Sequence, residues 1–225
     1  MKEHVQTEAA GRGRRVSRLV AAVSLVALMG GVPAHADRDD DRGRQGAISA
    51  QEQVEDLAVC YARGTDAIGS AVDAEITAAD DLQSTVNLDD PQFALGLSLY
   101  RQCFSKHFSF TLAFGGVPVL TVPAAVTSDT DAPLQWANFV NNAFRGPGYV
   151  NTQHHMGSIS SSIHGRTAEM VSYLIATHSY GPSSALTGVQ VVGGTYTDEV
   201  VKERGRWVIR NRTLNITSSV NVPAS

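Results

Sequence analysis

Apolar residues recur at helical spacing in the first part of the chain and at strand spacing in the later part. After a charged segment that ends near residue 48, apolar side chains return every three or four positions, at Val54, Leu57, Ala58, Tyr61 and Ile68. The residues 49–52, Ser-Ala-Gln-Glu, match a capping box, so the pattern predicts a helix that begins at Ser49. Gly64 weakens the interior of this helix and predicts a bend near Thr65 and Asp66.

The rest of the chain divides into elements by the same criteria. The predicted helices are 49–68, 91–104 and 133–145, and the predicted strands are 107–114, 117–123, 151–163, 166–178, 187–202 and 206–217. The short turns His164-Gly165 and Arg204-Gly205 join neighbouring strands as hairpins. The composition of residues 69–90 predicts a loop or a poorly packed helix. This segment either covers the mouth of a pocket or lies on the surface. This order predicts an α+β fold with helices on one face of a curved antiparallel sheet.

The first 36 residues predict an export signal rather than part of the fold. Four arginines between positions 12 and 18 precede an apolar run at 19–29, and Ala34-His35-Ala36 provides a small-residue cleavage site. A membrane-anchoring or amphipathic helix is the alternative. The pair Arg14-Arg15 is a partial match to a twin-arginine signal. We therefore predict an exported protein, periplasmic or extracellular, with no stable membrane span after cleavage.

Residues 37–48 are charged and lack apolar periodicity, which predicts a flexible linker. An acidic metal-binding loop is the weaker alternative, because arginines lie among the carboxylates. The folded domain is then predicted at residues 49–220.

Charge and cysteine content narrow the range of partners. The 225 residues include 18 basic and 22 acidic side chains, a net charge of −4, which argues against nucleic acid as a partner. The two cysteines, Cys60 and Cys103, lie on the first two predicted helices. In an exported protein this pair predicts a disulfide, with two buried free thiols as the alternative.

Three stretches resemble the SnoaL-like family of the nuclear transport factor 2-like superfamily. They are 61–66 (Tyr-Ala-Arg-Gly-Thr-Asp), 152–154 (Thr-Gln-His) with Ser158 after it, and 193–199 with 207–209 and 212–214. The resemblance covers roughly residues 49–217 and implies a conical α+β barrel whose bent sheet encloses a pocket. Family members include dehydratases, dehydrochlorinases, isomerases and polyketide cyclases, so fold alone does not settle the function.

The resemblance also implies a site. Asp66 and His154 match the family's aspartate–histidine dyad, in which histidine removes a proton and the carboxylate orients it. The expected enzyme needs no cofactor and no metal, and acts on a small hydrophobic molecule by elimination, isomerisation or cyclisation. Alternatively, Asp66 lies on a solvent-facing flank of its helix and His154 is a strand histidine at a sheet edge.

Three further residues are candidates for contact with substrate. Tyr61 lies on the apolar stripe of the first helix, where core packing is the alternative role, and Arg212 fits a family position, where a surface or salt-bridged arginine is equally expected. His155 is a candidate because a one-residue error in register would exchange it with His154. Two other functions stay open: a non-catalytic module that binds a hydrophobic ligand or mediates assembly, and a purely structural secreted protein. Under each of them the chain can form a homo-oligomer.

Overall fold

The computed structural model describes residues 38–224, and the side chains from residue 50 onward. The predicted export signal at 1–36 lies outside the described residues. In chain order the elements are α1 (Arg38–Gly69), a 3₁₀ turn (Val86–Asp89), α2 (Pro91–Cys103), β1 (Phe104–Phe114), β2 (Val117–Val122), α3 (Ala132–Arg145), β3 (Tyr149–His164), β4 (Thr167–Tyr180), β5 (Val189–Glu203) and β6 (Arg206–Val222). The predicted elements are therefore all present, and most of their ends lie within three residues of the predicted ones.

The first helix is longer than the sequence pattern indicated. It begins at Arg38 instead of Ser49, so residues 38–48, which we predicted as a flexible linker, are helical. Acidic residues stand at the N-terminal end of this segment and basic residues follow, an order that stabilises a helix without an apolar stripe. Hydrophobic periodicity cannot detect such a segment, because its sequence has no apolar residues at regular spacing.

Gly64 lies inside the continuous α1, where it permits close packing against α2. A Cβ atom at this position would lie 2.7 Å from the ring of Tyr100, and one at Gly96 would lie 2.6 Å from the carbonyl oxygen of Gly64. Real Cβ atoms do not approach so closely, so both glycines are required for this contact between the helices.

The six strands form one curved, unclosed sheet in the order β2-β1-β6-β5-β4-β3. Neighbours are antiparallel, with one exception: β1 and β6 run parallel. The sheet is therefore mixed, whereas we predicted an antiparallel one. Such a parallel pair requires a long connection, here the whole segment from β2 to β5, so local pattern alone does not reveal it.

A bulge in β3 reverses the alternation of its side chains. The pairing with β4 shifts between Gly157 and Ser160, and Ser158 has a positive φ of 47°. Before the bulge the even-numbered Met156 packs against the core, and after it the odd-numbered Ile159 does so. The bulge therefore lets the long β3 curve while an apolar row stays on its inner face.

The loop from residue 70 to residue 90 packs against α3. Three asparagines of α3 bond the loop backbone: Asn138 donates to the carbonyl of Leu82 at 2.8 Å, Asn141 to that of Glu75, and Asn142 to that of Thr77. No residue of this loop lines the cavity described below. Of the two roles considered for this segment, the structure supports a surface position.

A disulfide joins α1 to α2. Cys60 and Cys103 are 43 positions apart in sequence, and their Cα atoms are 6.0 Å apart. The predicted pairing is confirmed. Disulfides persist outside the reducing cytosol, so this bond indicates a non-cytoplasmic protein. Among the described helices, none combines the length and the apolar character needed to cross a membrane.

Candidate active site

A cavity of about 220 Å³ lies between α3 and the inner face of the sheet. Most of its wall is aromatic or aliphatic, including Phe110, Trp136, Phe139, Phe144, Leu174 and Val192. A few polar side chains reach it, among them Tyr61, His154, His178 and Gln190. A mostly apolar hollow with a few converging polar groups is typical of a small-molecule site.

Asp66 and His154 meet at the edge of this cavity. Asp66 lies in the last turn of α1 and His154 near the start of β3, and Asp66 Oδ1 is 2.7 Å from His154 Nδ1. The other carboxylate oxygen accepts the backbone N–H of His154 at 3.2 Å. The imidazole side chain is 5% exposed and the carboxylate 30%. Both the ring and the backbone of His154 are thus held by one carboxylate.

A glycine allows α1 to come this close to β3. A Cβ atom added at Gly69 would lie 2.0 Å from Cγ2 of Thr152, far inside the contact limit. Thr152 is two residues before His154 on the same face of β3, and Gly69 is three residues after Asp66 on α1. The contact between Gly69 and Thr152 therefore positions the two reactive side chains against each other.

The bond to Asp66 determines which nitrogen of His154 is available. With Nδ1 directed at the carboxylate, the favoured neutral tautomer carries its proton on Nδ1 and a lone pair on Nε2. No residue in the described part of the chain hydrogen-bonds Nε2, and His154 lines the cavity. A carboxylate at this distance stabilises the imidazolium that forms when Nε2 accepts a proton. The arrangement is that of a general base with an orienting partner.

His178 is a second histidine of the cavity, and the sequence analysis missed it. It lies on β4, is buried, and its Nδ1 is 2.7 Å from Oγ1 of Thr152. Burial, and then the nearby His154, lower the pKa of His178 to about 4, with a smaller opposing effect of Asp66. His178 is therefore neutral at pH 7, and its ring can form a hydrogen bond with a bound molecule. It shares the inward alternation of Leu174 and Ala176, which is the signal that could have identified it.

Tyr149 and Gln190 form a polar pair at the cavity wall. The hydroxyl of Tyr149 donates to Oε1 of Gln190 at 2.5 Å, and both residues line the cavity. Burial raises the pKa of Tyr149, so its hydroxyl stays protonated. Neither residue belongs to a motif, and no pattern in the sequence distinguishes them.

Arg212 does not line the cavity, in contrast to its predicted contact with substrate. It is 1% exposed and forms a two-pronged ion pair with Asp198, at 2.6 Å and 2.7 Å. Its guanidinium carbon lies 4.2 Å from the ring centroid of Tyr61 and 4.5 Å from that of Tyr196. The paired carboxylate outweighs the effect of burial and raises the pKa of Arg212, so this side chain stays charged. Arg212 therefore acts on the site through the two tyrosines that it contacts.

The other two candidates lie on different sides of the sheet. Tyr61 is both core and cavity wall: it is 2% exposed, lines the cavity, and its hydroxyl accepts that of Tyr196 at 3.2 Å. His155 is exposed on the outer face, opposite His154, and is absent from the cavity wall. Strand alternation separates the two histidines, so the structure excludes His155 from direct contact with a molecule in this cavity.

Within residues 38–224, no three His, Cys, Asp or Glu side chains converge in a way that could hold a metal ion.

Comparison with solved structures identifies the fold. A putative scytalone dehydratase from Novosphingobium aromaticivorans matches with a TM-score of 0.50 and 16% identity, over 81% of this chain and 93% of that chain. A type 2 hexachlorocyclohexane dehydrochlorinase, LinA, matches with a TM-score of 0.52 and 12% identity, over 82% and 95%. The type 3 LinA from Novosphingobium barchaimii LL02 also reaches 0.52, with 11% identity over 81% and 94%. At these identities the likeness establishes the fold alone. No curated protein sequence matches the chain.

A family described as the SnoaL-like domain matches residues 97–213. The matched segment contains His154 and the strands that surround the cavity, and ends before Leu214. It begins after α1, so Asp66 lies outside it. Because the match covers just over half of the 225 residues, and the fold agrees with it, the chain belongs to the SnoaL-like family.

Proposed function

We propose that this protein is a cofactor-free enzyme that removes a proton from a small hydrophobic molecule, and so catalyses an elimination, isomerisation or cyclisation. The observation that carries the proposal is the 2.7 Å bond between Asp66 and Nδ1 of His154, with Nε2 unbonded beside an apolar cavity. His154 is the general base and Asp66 its orienting partner.

The cavity limits the size of the substrate. Its volume of about 220 Å³ is below the roughly 300–1,000 Å³ of ordinary ligand pockets, which favours a compact molecule with one or two rings. The aromatic wall supplies most of the binding energy by burying apolar surface. The polar groups of Tyr61 and neutral His178 supply hydrogen bonds to an oxygen of the substrate, and these orient its acidic C–H bond toward Nε2 of His154.

The alternative is a binding module of the same fold that performs no reaction. The apolar wall fits both functions. A binding module has no need of a histidine held by a carboxylate, because van der Waals contact and desolvation suffice to bind an apolar ligand. The direct bond between Asp66 and His154 therefore favours the enzyme.

Proton abstraction can be tested before the natural substrate is known. Two probes are suitable: the carbon acid 2-indanone, whose exchange of hydrogen for deuterium in D₂O is followed by NMR, and hexachlorocyclohexane, whose elimination releases chloride. We expect catalysed exchange or release, which His154→Gln and Asp66→Asn each reduce by between about 100-fold and 10,000-fold. His155→Gln is the matched control, since it changes the neighbouring histidine on the outer face and leaves the rate unchanged.

Three results would overturn the proposal. Wild-type rates no higher than in buffer, although both probes bind in the cavity, would favour the binding module. Full activity in His154→Gln would show that His154 is not the general base. An equal loss in His155→Gln would show that the cavity does not select between the two histidines.

We also propose that the protein is exported, with cleavage after Ala36. The charged and apolar pattern of residues 1–36 supports this, and so does the disulfide between Cys60 and Cys103. Mass spectrometry of the protein outside the cytoplasm is expected to show a chain that starts at Asp37 and carries no free thiol. A full-length chain found only in the cytoplasm would contradict export.

A further inference from the structure

Basic side chains are concentrated at the end of the sheet that is remote from the cavity. The cavity is lined by the later part of β1 and the early part of β5, for example Phe110 and Gln190. A cleft of about 680 Å³ is lined instead by the start of β1, the end of β5 and the start of β6. Its cationic residues are Arg101, Lys106, Arg204 and Arg206. A separate surface therefore exists, which the proposed reaction does not use.

A second cleft, of about 590 Å³, continues the first. The two share His107, Glu203 and Arg204. The second adds three more cations, Arg166, Lys202 and Arg210. The shared residues make the two clefts one basic groove, which runs past the turn between β5 and β6.

The concentration of charge in the groove is unusual for this chain. Residues 50–224 carry ten Lys and Arg against sixteen Asp and Glu, yet seven of the ten cations line the groove. Asp131 and Glu203 are the two acidic residues that line it. Arg101 bonds Asp131 at 2.7 Å, and Arg210 lies 3.8 Å from Glu203, so most of the cations are not neutralised. The groove is a positive region on a protein whose described side chains are acidic in total.

The turn itself supports a role for the arginine charge. Arg204 has a φ of 48° and Gly205 a φ of 85°, so both lie in the left-handed region that a two-residue hairpin turn requires. Asparagine is favoured at the first of these positions, and an arginine there is strained by about 1 kcal/mol. Among the described residues, no side chain forms a hydrogen bond or ion pair with the side chains of Arg204 and Arg206. Both side chains are exposed and carry no such partner, and Arg204 lines both clefts.

From this groove we infer a binding site for a linear acidic polysaccharide, a chain of sugars that carry carboxylate or sulfate groups. Guanidinium groups pair with such groups through two parallel hydrogen bonds, and five of the seven cations are arginines. Seven cations spread over two adjoining clefts fit a chain with repeated charges better than one small anion. The disulfide indicates a compartment where such polymers are met.

The lining of the groove disfavours two other polyanions. Its apolar residues Phe104, Val201 and Val208 are each at most 5% exposed. Single-stranded nucleic acid is bound on exposed aromatic side chains, on which its bases stack. An amphipathic surface that inserts into a membrane presents apolar side chains that enter the bilayer. The groove presents neither.

Binding of a short polygalacturonate chain, labelled with a fluorophore, tests the inference on the disulfide-bonded protein. We expect salt-dependent binding that is lost when the carboxylates of the probe are methyl-esterified. The double variant Arg204→Asn with Arg206→Gln should weaken binding by about tenfold or more. It keeps the fold, because asparagine suits the turn, and thermal unfolding verifies this. Arg63→Gln removes an exposed arginine of α1 outside the groove and should leave the affinity unchanged.

Four results would overturn the inference: no binding of the acid form, equal binding of its ester, an unaltered affinity in the double variant, or tighter binding to phosphatidylglycerol vesicles or single-stranded DNA. None of them bears on proton abstraction in the cavity, because neither Arg204 nor Arg206 lines it.

Discussion

Two acid–base pairs lie at or beside the cavity wall, one between α1 and β3 and the other between the neighbouring strands β5 and β6, and they differ in what they can do. Asp66 holds His154 with one side chain 30% exposed and the other 5%, whereas Asp198 and Arg212 are both fully buried. His154 lines the cavity through a ring whose Nε2 no described residue bonds, so it can accept a proton there, whereas a buried guanidinium beside a carboxylate cannot lose one. The first pair is thus suited to chemistry, and the second holds Tyr61 and Tyr196 in place at the cavity wall. The difference lies in the cation and in its access to the cavity, since both pairs have similar distances.

Replacing the carboxylate of each pair by an amide should show that the two pairs stabilise the fold to different degrees. Asp198→Asn leaves Arg212 buried without its counter-charge, and we expect the free energy of unfolding to fall by about 3–5 kcal/mol. Asp66→Asn keeps an acceptor for the backbone of His154 at a partly exposed site, and should cost about 1 kcal/mol. Urea unfolding of both variants at pH 7 measures the difference. Equal losses would show that both pairs are structural.

The pH dependence of stability should distinguish the buried His178, which takes up a proton in acid, from the buried Arg212, whose charge stays constant. His178 has an ordinary pKa near 6.5 when unfolded and about 4 when folded, so between these values the unfolded chain binds more protons. The contribution of His178 to the free energy of unfolding is fully present above pH 6.5. Roughly 3 kcal/mol of it in total is lost as the pH falls toward 4. Around it lie His154, Asp66, Tyr149 and Thr152, and of these the carboxylate opposes the shift.

The control for this prediction is His178→Gln, whose amide can keep the hydrogen bond to Thr152 but does not titrate. The free energy of unfolding from urea titrations at several pH values should fall less steeply in the variant below pH 6.5. Parallel curves for the two proteins would show that His178 does not carry this pH dependence.

The approach of α1 to β3 can be changed without altering either reactive residue. Gly69→Ala places a methyl group against Thr152, so we expect a loss of about 2 kcal/mol in stability and a lower rate of proton exchange. Adding Thr152→Ser removes the clashing methyl and keeps the hydroxyl, so it should restore both quantities in part, since Cβ of residue 152 and the ring of Phe144 stay 3.1 Å and 3.2 Å from the added carbon. Gly157→Ala on the same strand meets nothing within 4 Å and is the neutral control. If the serine variant gives no recovery, Gly69 does not set the distance between Asp66 and His154.

Much of the fold could be predicted from short-range pattern. The capping box marked a helical stretch, proline marked the starts of α2 and α3, and alternation identified the four long strands, since these signals depend on neighbours in sequence. The start of α1 at Arg38 was missed because the charged sequence of residues 38–48 has no apolar period. The parallel pairing of β1 with β6 was missed because it joins segments about a hundred residues apart.

The candidate site was only partly predictable. Asp66 and His154 came from the family resemblance and Tyr61 from the apolar stripe of the first helix, and the structure brings all three to one cavity wall or its edge. Arg212 and His155 were also proposed for substrate contact, but burial in an ion pair removes the first and strand alternation the second. His178 belongs to no motif and was missed, although its position in the alternation of β4 places it on the inner face.

By itself the sequence determined the order of helices and strands and the family, because periodicity and motif are properties of the chain read in one dimension. The disulfide was one of two expectations for the two cysteines, and the structure decided between them. Only the tertiary structure decided that Asp66 reaches His154 and that Arg212 pairs with Asp198 instead of lining the cavity. Asp66 and His154 are 88 positions apart, and their 2.7 Å contact depends on a glycine and a threonine that let two elements touch. The basic groove has the same origin: its cations are scattered from Arg101 to Arg210 and collect only where the sheet brings the strand ends together. Net charge sums over the whole chain, whereas binding depends on where the charges lie.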